Sequence, residues 1–568
     1  MAKPKLQDLE FEIERLKSEI THLKATKKYG LVWTPKPEQF DHHAHNALPV
    51  LEAKGGRFKD ITGDAAAGDH VLIEGDNYHA LSVLAYTHRG AIDVIYIDPP
   101  YNTGSTDWRY NNDYVAADDP FKHSKWLSFM DRRLRLARDL LSDQGVLICA
   151  IDDNEAATLA LLLDDIFSDM VRNTVVLLTN PHGVARSGFS RTHEYAYFLL
   201  PSGMTINKKP APEDVRNINL RRSGNNSLRT DSPTMFYPIY VDKKTLTVVK
   251  AGDAPPATFH PTAQTIDAGK HWEVWPIDAR AVEKNWYYSR KRVNDMGAQD
   301  LRCRIADTAV QLSFHHTNNG EQTYKTTWLE TDYDAGAYGS TLVKDVTGQD
   351  FPFPKSLHTV RDCLSAVLKS RTATVLDFFA GSGTTGHAVL ELNRRDGGHR
   401  RFILVTNNEN KICEQVTFPR LKRVMTGYST RTGDRVAGLG GNLRYLKTTF
   451  VPKHVDYGLT DEDRLEFTRR ANLLLALKEH TFTPVTTTDH YEIVASPTAI
   501  TGIYFRENKV ELAKLLAELD RSRGARSVTV YIFSWAKGAY KTGFEDYPAF
   551  RFEDIPEPIL EVYKSIGY

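Results

Sequence analysis

Asp93-Val94-Ile95-Tyr96-Ile97-Asp98-Pro99-Pro100-Tyr101-Asn102-Thr103-Gly104 is the stretch on which the reading of this chain turns. Val94 to Ile97 form a short, unbroken apolar run, which predicts a strand covered by helices on both faces. Pro99 and Pro100 lack N–H groups and have fixed φ, so the sheet stops at Asp98 and an extended loop follows. The strand therefore presents a carboxylate, a proline carbonyl and an aromatic ring at its carboxyl end. A free aspartate titrates near ~3.9, so Asp98 is expected to be ionised at neutral pH. These groups suit a planar base bearing an amine. A plain strand-ending turn uses the same residue types, and the tetrapeptide alone leaves both readings open.

A second site changes the balance. Thr374-Val375-Leu376-Asp377-Phe378-Phe379-Ala380-Gly381-Ser382-Gly383-Thr384-Thr385-Gly386 again runs from an apolar strand into a glycine turn and a helical pattern. Gly381, Gly383 and Gly386 have G-x-G-x-x-G spacing, which lets a ligand approach the backbone closely. A dinucleotide or a structural turn fits that spacing nearly as well. Phe379, however, offers an apolar wall for an adenine, and hydroxyls stand where a phosphate site usually shows lysine. A nucleoside without phosphates, such as S-adenosylmethionine, fits better than ATP.

Together the two sites resemble the amino-methyltransferases of DNA, in which Asp-Pro-Pro-Tyr accompanies Phe-x-Gly-x-Gly. The catalytic motif precedes the cofactor turn, as in the permuted β class, and Asp98 to Gly104 resembles the Mod subunit of type III restriction–modification systems. The segments His123-Ser124-Lys125-Trp126-Leu127, Gly145 to Glu155 and Arg191-Thr192-His193-Glu194-Tyr195 are similar to further family segments. The resemblance implies a doubly wound, Rossmann-like α/β methyltransferase domain with circularly permuted motif order, an inserted target-recognition domain and a C-terminal α+β domain. It implies methyl transfer from S-adenosylmethionine to adenine N6, with Asp98, Pro99, Pro100 and Tyr101 as catalytic residues and no metal.

The cofactor residues it implies are Asp377, Phe378, Phe379, Ala380, Gly381, Ser382, Gly383 and Thr384 at the turn. Asp76 matches the family's Gly-Asp pair before the catalytic strand, and Asn77 beside it is implied as a cofactor residue too. Lys355 matches a segment closing on the methionine end, and Thr406, Asn407 and Glu409 lie near the ribose. Asp76 and Asp377 are also read as helix caps, and Lys355 as an exposed lysine. Many relatives carry an acidic residue where this chain has Thr406, which leaves the ribose ligand open.

The remaining chain gives an outline of domains. Residues 1–28 carry a heptad seam, Leu6, Leu9, Ile13, Leu16, Ile20 and Leu23. Strand–helix alternation over 29–204 is lost over 205–340 and resumes over 341–450, predicting one split catalytic domain around a recognition insert. Residues 451–568 read as a further α+β interaction unit. Candidate DNA contacts are Phe189 and Tyr195 beside the base pocket, and Arg221, Arg222, Asn225, Asn226 and Arg229 in the insert. A basic–aromatic cluster, Lys284, Trp286, Arg290, Lys291 and Arg292, and the run Arg420, Lys422, Arg423, Arg431 and Arg435 read equally as DNA-facing or as solvated faces.

Composition permits this outline without suggesting it. Lys plus Arg and Asp plus Glu both total 72 over 568 residues, so positive groups for a polyanion must gather in a local cleft. The four cysteines show no C-x-x-C spacing. There is no secretory leader or 18-residue apolar run, so a cytoplasmic protein without membrane spans is expected. Double-stranded DNA, a homodimeric partner and a restriction subunit with helicase and nuclease activity are the implied partners, since the chain has no P-loop motif of its own. Alternatives are cytosine-N4 methylation, methylation of RNA or of a protein amide, and a cofactor-gated DNA-recognition subunit.

Overall fold

The computed structural model describes residues 31, 33–36, 38, 46–53, 69–104, 109–110, 113–116, 118–183, 188–210, 215–296, 300–306, 309–317, 320–454, 459–505, 508–535 and 544–567. The heptad segment lies outside the described residues. The chain divides into two compact units, one of residues 1–207 with 324–568 and one of residues 208–323.

The first unit is built on a ten-stranded sheet. Its strands in chain order are β1 (Ala47–Ala53), β2 (Asp69–Glu74), β3 (Ile92–Ile97), β4 (Leu141–Ile151), β5 (Met170–Leu178), β6 (His193–Pro201), β7 (Thr327–Trp328), β8 (Thr374–Asp377), β9 (Arg401–Thr406) and β10 (Asn442–Pro452). Their spatial order is β1-β10-β2-β9-β8-β3-β4-β6-β5-β7. Only β1 and β6 run against the others. The chain leaves β3 towards β4 on one side and β8 towards β9 on the other. The adjacent pair β3 and β8 is therefore the switch point of the doubly wound sheet, where a crevice opens beyond the carboxyl ends of the strands.

Burial explains the apolar run. Ile95 and Ile97 of β3 pack in the core on one face, and Val94 and Tyr96 in the core on the other. Helices α1 (Asn77–Thr87), α2 (Lys122–Leu140) and α3 (Ala156–Ile166) cover the first face. Helices α4 (Leu357–Val367), α5 (Thr384–Asp396) and α6 (Phe418–Thr426) cover the second. The strand–helix alternation expected over 341–450 is seen in α4, β8, α5 and β9.

Two boundaries differ from the compositional reading. The second unit spans Lys208–Thr323, because Trp328, although flanked by insert-like sequence, is buried in β7 on the edge of the large sheet. Residues after 451 form a parallel–antiparallel sheet of their own, from Thr483–Thr487 to Phe550–Ile555. They nevertheless belong to the first unit: the Tyr563 hydroxyl donates to the Pro49 carbonyl at 2.8 Å, and that of Tyr78 to Ile566 at 3.0 Å. The second unit has its own core around Tyr237, Ile239, Val274, Trp286, Leu312 and Phe314, under a three-stranded and a four-stranded antiparallel sheet. No helix of the described residues is long and apolar enough to cross a membrane.

Candidate active site

Register places the two motifs side by side. Val94 pairs with Val375 and Ile95 with Leu376, so Asp98 and Asp377 leave the same edge of the sheet on neighbouring strands. The loop after β3 is locked from below. Trp126 of α2, fully buried, donates its indole N–H to the Pro100 carbonyl at 2.7 Å. Asn102 is buried in a left-handed conformation (φ 57°), and its amide donates to Glu155 Oε1 at 2.5 Å. Glu155, itself buried, also meets His123 Nδ1 at 2.6 Å and accepts from the Thr158 hydroxyl. A buried carboxylate with three such partners is a rigid post, and it fixes where Asp98 and Tyr101 point.

The mouth of the site holds a charge cluster. Lys355 Nζ donates to Glu194 Oε2 at 2.6 Å and to the Tyr101 hydroxyl, and stands 3.3 Å from Asp98 Oδ1. It also lies 4.5 Å from the centroid of the Tyr101 ring, and the Tyr101 hydroxyl donates to Glu194 at 3.2 Å. Lys355 is not the exposed lysine of the alternative reading: it is buried, its ammonium drawn in by the carboxylates of Asp98 and Glu194. Burial opposes the charge on Lys355, but Asp98 and Glu194 outweigh it and hold the ammonium above the ordinary lysine value. Burial raises the Asp98 carboxyl above its usual range, Lys355 pulls it back and Glu194 pushes it up further. Lys355 first, and then the Tyr101 hydroxyl, favour the ionised form read from the sequence. The Asp98 side chain keeps 26 % exposure, while its Oδ1, the oxygen facing Lys355, is buried.

The glycine turn is held with equal care. Asp377 accepts from the Phe379 N–H at 2.9 Å and from the Thr385 hydroxyl at 2.5 Å. Burial, against those two bonds, pushes its carboxyl up to about 7. Both its oxygens are thus engaged by the turn it begins. Gly381 and Gly383 adopt φ of 47° and 81°. A Cβ on Gly383 would lie 3.2 Å from Thr417, whose hydroxyl donates to the Gly381 carbonyl at 2.5 Å. Arg420 was read with a basic run as a DNA-facing or solvated residue. It is fully buried under the turn, donating to Ser382 Oγ at 2.9 Å and to Thr384 Oγ1 at 2.8 Å.

Across the crevice, Asp76 ends β2 as the N-cap of α1, accepting from the Tyr78 N–H at 2.7 Å, with a half-exposed carboxylate. Asn77 joins the two halves: its amide donates to the Phe378 carbonyl at 3.0 Å, and its oxygen accepts from buried Arg133 at 2.6 Å. Phe379 is half-buried against Phe129, ring centroids 5.9 Å apart. Thr406 is buried, and its carbonyl accepts from the Gly75 N–H at 3.0 Å. Asn407 and Glu409 follow at the open end of β9. Among the described residues, no three His, Cys, Asp or Glu side chains form a cluster able to hold a metal.

The sequence model of a family described as DNA methylase, of the N6/N4 class, matches residues 92–418, the span that carries both strand ends. The chain belongs to this family. It is 30 % identical over 349 residues to the type II methyltransferase M.KpnI of Klebsiella pneumoniae, covering 59 % of this chain and 79 % of that protein. It is 28 % identical over 428 residues to the type III restriction-modification enzyme EcoPI Mod subunit of Escherichia phage P1, and 26 % over 396 residues to the StyLTI Mod subunit of Salmonella typhimurium. Each alignment covers 65 % of this chain, but 64 % and 57 % of those two subunits. Among solved structures, the M1.HpyAVI–SAM complex aligns with 62 % of this chain and 98 % of its own at 12 % identity and a TM-score of 0.29.

For this methylase the expected DNA contacts divide. Phe189 is fully exposed, on the segment leading to Glu194. The Tyr195 hydroxyl donates to Asp153 at 2.9 Å. In the second unit Asn225 and Asn226 are exposed, and Arg222 lies over the Tyr287 ring at 5.6 Å. Arg221 donates to the Ile277 carbonyl. Arg229 departs from expectation: it is buried, donating to the Phe259 and Pro256 carbonyls at 2.7 and 2.9 Å and to Glu283 at 3.0 Å. Its guanidinium holds loops together. Trp286 is likewise core, its N–H given to the Tyr237 carbonyl at 2.7 Å. Sequence reasoning assigned no role to Glu194, Trp126, Glu155 or Arg133. Arg133 was findable, since it lies three and four residues from Met130 and Ala137 on the apolar face of α2.

Proposed function

We propose that this methylase transfers a methyl group from S-adenosylmethionine to N6 of an adenine swung out of double-stranded DNA. We propose further that it serves as the modification subunit of a restriction system, self-associating and working with a separate helicase–nuclease subunit. The observation that carries the reaction is the adjacency of Asp98 and the glycine turn on paired strands.

The site fits such a cofactor. Gly381 and Gly383 permit the left-handed turn, Phe379 supplies an apolar wall, and hydroxyls rather than a lysine flank the turn. Phe379, the turn, Asp76 and the Asn407–Glu409 end of β9 would hold it. When bound, it supplies an electrophilic methyl group on a sulfonium.

The chain's own residues prepare the acceptor. Asp98 and the Pro99 carbonyl accept the two N–H bonds of the amine, since Trp126 occupies the Pro100 carbonyl instead. Charge-assisted acceptance draws the nitrogen lone pair out of conjugation with the ring. Tyr101 offers its face for stacking, and Lys355 withdraws towards Glu194 as the base arrives. As the nitrogen gains the methyl group it loses a proton, and Asp98, whose carboxyl burial already lifts, accepts it. Holding both reactants in one crevice makes this a positioning catalyst.

Adenine is favoured over cytosine by Asp at the first motif position; the two amines are chemically alike. The test is to incubate the protein with labelled S-adenosylmethionine and duplex DNA and to sequence the modified positions. N6-methyladenine at one recurring sequence is expected. N4-methylcytosine would overturn the choice of base, and label in RNA or protein but not DNA would overturn the function.

A further inference from the structure

Phe353 combines two costly features. Its side chain is 93 % exposed, and its backbone is left-handed, φ 51°, a conformation a bulky residue adopts only against steric resistance. The segment around it is nonetheless rigid. Pro352 and Pro354 flank it, and Pro354, Lys355 and Ser356 are buried. The Ser356 hydroxyl donates to the Asp332 carbonyl at 2.8 Å. Behind it, the ring of Phe351 comes within 3.4 Å of where a Cβ on Gly381 would stand. Phe353 is therefore an aromatic ring held into solvent from a fixed base.

Its place gives it a use. Two residues span at most ~7 Å of extended chain, so Phe353 stands within that reach of Lys355, whose ammonium is 3.3 Å from Asp98. An exposed ring two residues along the chain from the buried lysine that pairs with Asp98 is close enough to meet the hole that a departing base leaves in the duplex. Apolar side chains inserted between base steps compensate lost stacking.

We infer that Phe353 is a wedge that enters the DNA stack and fills the space vacated by the target base. This rests on the DNA methyltransferase reading above. The partner is the base stack itself, identified by continuity with the pocket.

The test uses the full chain and duplexes carrying its methylated site, with the target base either paired or opposite an abasic position. Phe353→Ala should lower single-turnover methylation of the paired duplex by about tenfold or more, yet stay within about threefold of the unsubstituted protein on the abasic duplex, where no pairing must be broken. Phe353→Trp should keep the paired rate. An equal loss on both duplexes, or no loss on either, overturns the wedge. So does loss of self-association or of protein binding with methylation intact, which would make Phe353 a protein contact. If the unsubstituted protein methylates neither duplex, the methyltransferase reading fails first.

Discussion

The ammonium of Lys355 stands 3.3 Å from Oδ1 of Asp98, so the residue that is to accept the target amine already holds a cation in its place. Lys355→Met removes the stronger of the two groups that pull the Asp98 carboxyl down, leaving only the Tyr101 hydroxyl against burial and Glu194. Tyr101, Tyr96 and Asp377 also face this carboxylate, and none is a cation. The proposed transfer needs Asp98 ionised to accept its N–H bond and then the released proton. The acid limb of the kcat–pH profile should therefore move to higher pH, with activity near pH 7 down about tenfold or more. A profile that keeps its shape while dropping uniformly would show that Lys355 acts only on packing.

Asp98→Ala should abolish methyl transfer, by on the order of 10³-fold or more, since it removes a charge-assisted acceptor from the reacting nitrogen. Cofactor binding should survive, because the turn at 377–383 is held by Thr385, Thr417 and Arg420 rather than by Asp98. Binding is read by calorimetry with S-adenosylmethionine, and turnover by label in DNA. Retained turnover would refute the role.

Legibility followed locality. The strand before Asp98 and the turn after Asp377 were readable because each is one contiguous run whose burial and φ demands show in residue type. The ion pairs of Lys355 were not legible because its partner Tyr101 lies 254 residues away, and nothing in the neighbourhood of Lys355 signals two distant carboxylates. Arg229 and Arg420 were read as candidate surface cations because charge runs do not say which way a side chain faces. In α6 the answer lay in spacing, since Arg420 shares a face with Leu421 and Val424. Arg229 offered no such pattern, because the single 3₁₀ turn Arg229–Asp231 is too short to show a period. The insert boundary was set too late because composition around Trp328 says nothing of its pairing with β5.

Asp377 carries a pH-dependent cost. Its carboxyl is pushed up to about 7 in the folded protein by burial, against ~3.9 in the unfolded chain. Between those values the folded state holds the proton more tightly, so this group's contribution to stability falls as pH rises and levels off above the folded value. Asp377→Asn removes the titration. The stability of the variant relative to the unsubstituted protein should therefore rise by about 2 kcal/mol from pH 5 to pH 8. Denaturant unfolding at the two pH values checks this; a difference that is flat or opposite in sign contradicts it.

Gly339 sets the position of Lys355 from outside the site. A Cβ there would lie 2.4 Å from the Pro354 carbonyl oxygen and 3.3 Å from the Lys355 backbone, contacts that backbone atoms relieve only by moving. Gly339→Ala should cost about 1–3 kcal/mol of stability as an overpacking change. It should also displace the 354–355 segment, withdrawing the ammonium from Asp98 without altering any charged residue. The acid limb of the kcat–pH profile should then shift in the same direction as in Lys355→Met, and the two substitutions together should shift it no further than Lys355→Met alone. Additive shifts would mean that Gly339 reaches Asp98 by some route other than Lys355.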